Sequence, residues 1–233
     1  MRIINMVRTA LPLALLPIAF ATVWAGTPIA IQMPLDGIGA TASETSLGDF
    51  VADAVRQQSE ADAAIVLASE LRPVVIAAGV SDSDKIVGAL SAPTDRTNTV
   101  VILKITGRQL RRAFEHALSR APSPFDGFLQ VSGIHINFDS SKPAALRISD
   151  LTIGGRKVEP DRTYMIATTR RLADGALGYF DIWTHADMVK DTQAPLSATV
   201  AAYAASRANG ADGSLGASRP TVDAHVEGRI IGK

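Results

Sequence analysis

GFLQVSGIHINFD, residues 127–139, is the stretch from which the fold class is read. Val131, Ile134, Ile136 and Phe138 are apolar, while His135 and Asn137 point the other way. Alternation with a period of two, among β-branched and aromatic residues, predicts a strand with one buried face. Ser132-Gly133 interrupts it where a bulge or a close backbone approach is tolerated.

Helices and strands are interspersed on both sides. Upstream, residues 99–105 (TVVILKI) predict a strand, and Thr106 then caps a helix with Leu110, Ala113/Phe114 and Ala117/Leu118 on one face. Arg108, Arg111 and Arg112 read as its solvated side, balanced by Glu115. Residues 121–125 form a loop, residues 63–68 a short buried strand, and residues 81–85 a polar loop before 86–90. Thr41 and Glu44 have the spacing of a capping box, followed by Leu47, Phe50/Val51 and Ala54/Val55 at helical intervals. Glu44, Asp49 and Asp53 read as capping or solvated carboxylates. Downstream, residues 146–153, a turn at Gly154-Gly155 and Lys157-Val158 predict a hairpin. Residues 164–168 predict a strand, 196–208 an alanine-rich helix ended by Asn209-Gly210, 212–220 a loop and 226–230 a closing strand. The pattern is that of the α/β class, α+β mixed, with mixed sheets flanked by helices.

Composition narrows the function classes. The chain of 233 residues is 47% hydrophobic and 20% charged, with zero formal net charge. Neither the balance nor the one-turn arginine cluster, which lacks interleaved aromatics, suggests a nucleic-acid partner. No cysteine is present, which excludes disulfides, thiolate metal sites, a cysteine nucleophile and a lipoprotein anchor. Residues 1–25 read as a signal peptide: Arg2 and Arg8 precede an uncharged apolar run, and Val23 and Ala25 supply small residues for cleavage before Gly26. A periplasmic or secreted protein without a stable membrane span is expected, with a leading segment over 26–43 and a domain over 44–233.

The wording of several stretches carries more than their periodicity. FLQVSG, ETSLGDFVADAV, KITGRQLRRAFEHAL, YMIATTRRLADGALGYF and VEGRI all occur here. Taken in chain order they resemble the C-terminal, substrate-recognition domain of the 5'-nucleotidase family, standing without the metallophosphatase domain. The resemblance implies that domain's layered fold and a place in nucleotide catabolism. The family's catalytic domain binds two metals through Asp, His and Asn; its C-terminal domain sandwiches the base between two rings, holds the ribose with an aspartate and the phosphate with arginines.

Residue by residue, those positions have changed. The two rings fall on Arg96 and Arg171, the aspartate of L-A-x-G-G-D-G on Leu177, the asparagine of the glycine turn on Leu67, and one arginine on Ser46. Arg72 matches. The resemblance therefore implies a binding or accessory module with a degenerate nucleoside site. Alternatively, Arg72, Arg96, Arg170 and Arg171 converge on a small anionic ligand, since guanidinium forks suit phosphate and carboxylate. A two-metal hydrolase needs several convergent ligands. The histidines number four (His116, His135, His185, His225), and Asp223-Ala224-His225 matches D-x-H with no second metal motif beside it. No catalytic residue, metal ligand or cofactor is assigned. Other readings are a phosphoesterase acting with a separate metallophosphatase chain, or a structural protein of the cell envelope.

Overall fold

Gly133 turns the stretch 127–139 out of one sheet and into another. The computed structural model describes residues 28–208, 221–222 and 226–233. The first strands are β1 (Pro28–Ile31) and β2 (Leu35–Asp36), before helix α1 (Ser46–Ser59), strands β3 (Ala63–Leu67), β4 (Val75–Ile76) and β5 (Gly79–Asp82), and helix α2 (Ser83–Val87). Strand β6 (Thr99–Thr106) and helix α3 (Gly107–Ala117) lead to β7 (Leu129–Ser132), β8 (Ile134–Phe138), β9 (Ile148–Ile153) and β10 (Arg156–Lys157). The remainder is β11 (Thr163–Thr169), α4 (Arg170–Ala173), β12 (Met188–Pro195), α5 (Leu196–Ala208), β13 (Thr221–Val222) and β14 (Ile230–Gly232).

Mixed sheets flanked by helices make up the architecture. The central sheet has the order β12-β6-β11-β3-β7, and a second has the order β10-β9-β8-β14. β3 and β11 run parallel, with Ala63 opposite Ile166; β7 pairs antiparallel with β3. Residues before the first helix add strands to two smaller sheets, β1 between β13 and β5, and β2 against β4. β3 is buried at every residue and β6 from Thr99 to Leu103, which is why they read as continuous apolar runs rather than alternating ones. Helix α1 lies against β7, β3 and α5; α3 lies against β6 and β9. Thr106 and Gln109 complete the capping box of α3, whose Leu110, Ala113, Phe114 and Ala117 are buried.

Several expectations change. Thr41 and Glu44 do not cap α1; Thr45 does, accepting from the Gly48 amide. The loop expected over 81–85 is the end of β5 and the start of α2, because the Asp82 side chain accepts from the Lys85 amide and caps the helix. The closing strand begins at Ile230 rather than 226. Residues 127–139 are two strands, not one with a bulge: Gly133, at φ 73°, is the corner. That positive φ favours glycine, and a Cβ there would meet the Arg56 guanidinium at 2.8 Å, so that the arginine would have to shift. The signal segment, the loop 212–220, Asn209-Gly210 and the D-x-H triplet lie outside the described residues.

The motif stretches meet in one buried node. Gln130 of β7 is fully buried; its amide donates to the carbonyls of Ala40 and Ser43 (2.8 Å each), and its oxygen accepts from Thr45 N (3.1 Å). Gly48 leaves the room for it: any Cβ there would sit 2.1 Å from the Gln130 oxygen. Glu44 is neither cap nor solvated. Its carboxylate accepts from the amides of Glu227 and Ile230 at 3.0 and 2.8 Å. Arg229 forks onto Asp53 with two bonds of 2.9 Å, meets Glu227 at 3.0 Å, and donates to Val131 O at 2.6 Å. Asp49 lies 3.7 Å from the same guanidinium. Three segments distant in sequence are thus tied by charge and hydrogen bonds at one point.

Candidate functional site

The family-like binding positions gather where β3 and β11 end and β6 begins. After β3 the chain makes a 3₁₀ turn, Ala68–Glu70, and Arg72 follows. Glu70 is the charged residue of that turn. Its side chain is buried and accepts from the Asn98 amide at 2.6 Å, while Oε2 has no hydrogen-bond partner. Burial raises the Glu70 pKa; Asn98, Thr169 and the charge of Arg171 pull it back. Asn98 also accepts from the Arg171 amide at 3.0 Å, so it ties the start of α4 to the turn after β3.

The four arginines are placed as follows. Arg72 donates to the Gly88 carbonyl at 3.2 Å. Arg170 is held by Asp174 at 2.9 Å and Asp191 at 3.4 Å. Arg96 and Arg171 are exposed, and among the described residues their guanidinium groups make no hydrogen bond or ion pair. Arg171 is near enough to Asp95 and Glu70 for its charge to favour their ionised forms, although Asp95 is held down chiefly by its bonds to Thr97. No common partner joins the four arginines among the described residues. The charge at this end is close to balanced: Arg170 is neutralised, and Arg171 faces two carboxyl groups.

The loop after α4 carries the other changed position. Gly175, Leu177 and Gly178 all have positive φ, at 88°, 57° and 94°. Leu177 is a rare occupant of that region, where aspartate, asparagine and glycine are favoured. His116 bonds to the Leu177 carbonyl at 2.8 Å, and its ring meets Tyr179 edge-on at 4.7 Å. Tyr179 is fully buried, stacks on Trp183 at 5.2 Å and donates to Gly127 O at 2.6 Å. Burial drives its pKa well up. This ring is core, with no face free for a base. Phe180 beside it is exposed.

The remaining positions are structural. Ser46, where an arginine would lie, accepts from the Asp36 amide at 2.9 Å and donates to Pro34 O at 3.1 Å. Leu67 is fully buried. Among the described residues, no three His, Asp or Glu side chains assemble a metal site. Reading the sequence missed Glu70, whose signal was a lone charge inside an otherwise apolar strand-to-turn segment.

Comparison with known proteins places these observations. The sequence profile described as "5'-nucleotidase, C-terminal domain" matches residues 20–185. The trifunctional nucleotide phosphoesterase protein YfkN of Bacillus subtilis is 29% identical over 153 residues, covering 64% of this chain and 10% of that protein. The 5'-nucleotidase of Homo sapiens is 29% identical over 101 residues, covering 40% of this chain and 16% of that one. Among solved structures, the 5'-nucleotidase precursor from Thermus thermophilus superimposes with a TM-score of 0.74 at 22% identity, over 88% of this chain and 39% of the other. The NAD nucleotidase of Haemophilus influenzae gives 0.70 at 15% identity, over 88% and 38%. At such identities the structural likeness is one of fold. The chain spans well under half the length of each of these relatives.

Proposed function

The chain belongs to the 5'-nucleotidase C-terminal domain family, and from that membership we propose that it is an exported accessory module of nucleotide catabolism with a degenerate nucleoside site. The observation that carries the proposal is Leu177. Its backbone keeps a left-handed conformation, φ 57° and ψ 29°, that suits the aspartate of the family motif. Its side chain has no oxygen with which to hold a ribose. Arg96 and Arg171 stand in the place of the stacking rings, and the buried Glu70 fills the turn after β3. Each lost stacking face removes roughly 1–3 kcal/mol of base affinity. Export rests on the charged and apolar segments within residues 1–25; no described helix is long and apolar enough to cross a membrane.

Adenosine tests the site, because it carries no phosphate and reports on nucleoside recognition alone. Calorimetric titration of the protein is expected to give binding no tighter than about 1 mM. Micromolar affinity for adenosine, unchanged by Arg96→Ala and Arg171→Ala, would reject the degenerate-site reading. The accessory role makes a second demand. Affinity purification of the tagged protein from its native cell is expected to recover a separate metallophosphatase chain in stoichiometric amount. Recovery of the protein alone after cross-linking would remove the partner from the proposal.

A further inference from the structure

At the other end of the central sheet lies a cleft of about 400 Å³ whose lining includes Arg56, Arg156, Lys157 and Arg162. Arg162 and Asp62 precede the paired residues of β11 and β3, whereas Arg170 and Arg72 follow those strands. With about 3.3 Å of rise per residue, the two ends are on the order of 20 Å apart. The cleft is therefore separate from the degenerate nucleoside site, and the inference stands independently of the reading proposed for that site.

Three elements bring the cations together. Arg56 comes from the last turn of α1, Arg156 and Lys157 from β10, and Arg162 from the start of β11. Arg56 is half-buried, with its guanidinium packed against the Cα of Gly133. Among the described residues it has no hydrogen-bond or ion-pair partner, although it is held in place. Gly154 and Gly155 turn the hairpin with φ of 55° and 75°, and Gly154 N donates to Gly133 O at 3.0 Å. That bond fixes the hairpin, and with it Arg156 and Lys157, beside Arg56.

Within this lining opposing charge is slight, and the carboxylates of Asp53, Glu60 and Glu227 line the adjacent clefts that Arg56 also borders. Asp62 is the carboxylate in the lining, and it already accepts from the Met165 amide at 2.9 Å. Glu159 reaches Arg162 at 3.7 Å, with both side chains more than half exposed. Arg162 also lies over the Tyr164 ring at 5.3 Å, which leaves its donors free. Bringing like charges together costs energy unless an anion lies between them. The ring in the lining is Tyr164, which is buried and offers little face to a base. The cleft's volume falls in the range of small-molecule sites.

We infer that this cleft binds a small, multiply charged phosphate-type anion, with Arg56 and Lys157 as its principal contacts. Pyrophosphate is the probe, titrated calorimetrically into the full protein at low and at moderate salt. Saturable one-to-one binding that weakens as salt rises is expected. Arg56→Gln and Lys157→Gln should each weaken it roughly tenfold, as expected for loss of a charge-assisted bond. Arg96→Gln with Arg171→Gln should leave it within about twofold. Lys157 is exposed, so its variant keeps the test valid if Arg56→Gln folds poorly. AMP competing at the same residues would support the inference and identify a nucleotide as the phosphate source; pyrophosphate binding without AMP competition would support it with a free anion. Absence of saturable pyrophosphate binding would overturn it. So would binding indifferent to Arg56→Gln and Lys157→Gln, or binding lost with Arg96→Gln and Arg171→Gln.

Discussion

Arg229→Met is expected to destabilise the domain by about 3–5 kcal/mol, the cost of breaking a buried charge cluster from one side. The guanidinium is 10% exposed and is shared by Asp53, Glu227 and the Val131 carbonyl, with Asp49 at 3.7 Å. Without it, Asp49, Asp53 and Glu227 would lose the cation they share. The loss is structural as well as electrostatic. Arg229 joins the segment leading into β14 to α1 and β7, so its removal also loosens the sheet in which β14 pairs with β8. Thermal unfolding followed by circular dichroism should show a midpoint lower by roughly 10 °C for a domain of this size. Arg229→Lys should recover only part of this, since an ammonium cannot fork onto Asp53. Pairing Arg229→Met with Asp53→Leu should cost less than Arg229→Met alone, because the carboxylate that the guanidinium forks onto is then no longer left buried without its partner. A midpoint for Arg229→Met within about 1 °C of the parent would show that the node is dispensable.

That node explains why the sequence was recognisable while its function was not. The quoted motifs contain Gln130, Gly48, Glu44, Asp53 and Arg229, and contacts among them span up to 176 residues of sequence. Each is fitted to another: Gly48 to the Gln130 side chain, Gln130 to the chain before α1, and Glu44 to two amides beside Arg229. Changing one alone leaves a clash or an unpaired buried group. Three of the binding positions carry no such constraint. Arg96 and Arg171 are exposed, and Leu177 is partly so; their side chains can change without disturbing the fold.

The misreadings have physical causes too. In the stretch 127–139 the apolar positions change phase between Val131 and Ile134, and a phase change moves the buried side to the opposite face. That shift was visible and marked the corner at Gly133, but a bulge and a turn between sheets look alike in one dimension. Glu44 has capping-box spacing, yet its partners are the amides of Glu227 and Ile230. No local pattern announces a partner so far away. The strand and helix over 79–87 were hidden because β5 is largely exposed and polar, so hydrophobic periodicity had nothing to detect. Nothing in the sequence singles out Arg56; only its position against Gly133 distinguishes it.

Asp49→Asn is expected to stabilise the protein at pH 8 and to do little at pH 5. This aspartate is buried beside Glu44 and Asp53. Burial is the main reason its pKa is pushed up to about 8; Arg229 opposes this, while the neighbouring Glu44 and Asp53 reinforce it. Neither oxygen of the ionised group has a donor. A protonated Asp49 instead donates to Glu44, which lies within bonding reach. In the unfolded chain the same carboxyl ionises near 3.8. Between that value and about 8 the folded state holds the extra proton, so this group's contribution to stability is greatest at low pH and is lost as pH rises toward 8. Asparagine keeps the shape and the donor and has no charge to bury. The difference between variant and parent should therefore grow with pH, reaching about 2 kcal/mol at pH 8. In a domain of this size that is a midpoint higher by roughly 4–8 °C. Comparing the two proteins at each pH cancels the titration of groups outside the node. Asp53→Asn is the contrasting control, since it weakens the fork to Arg229 and should destabilise at both pH values. An Asp49→Asn gain equal at pH 5 and pH 8, or a loss at pH 8, would mean that Asp49 is ionised in the folded protein and serves Arg229 as a further counterion.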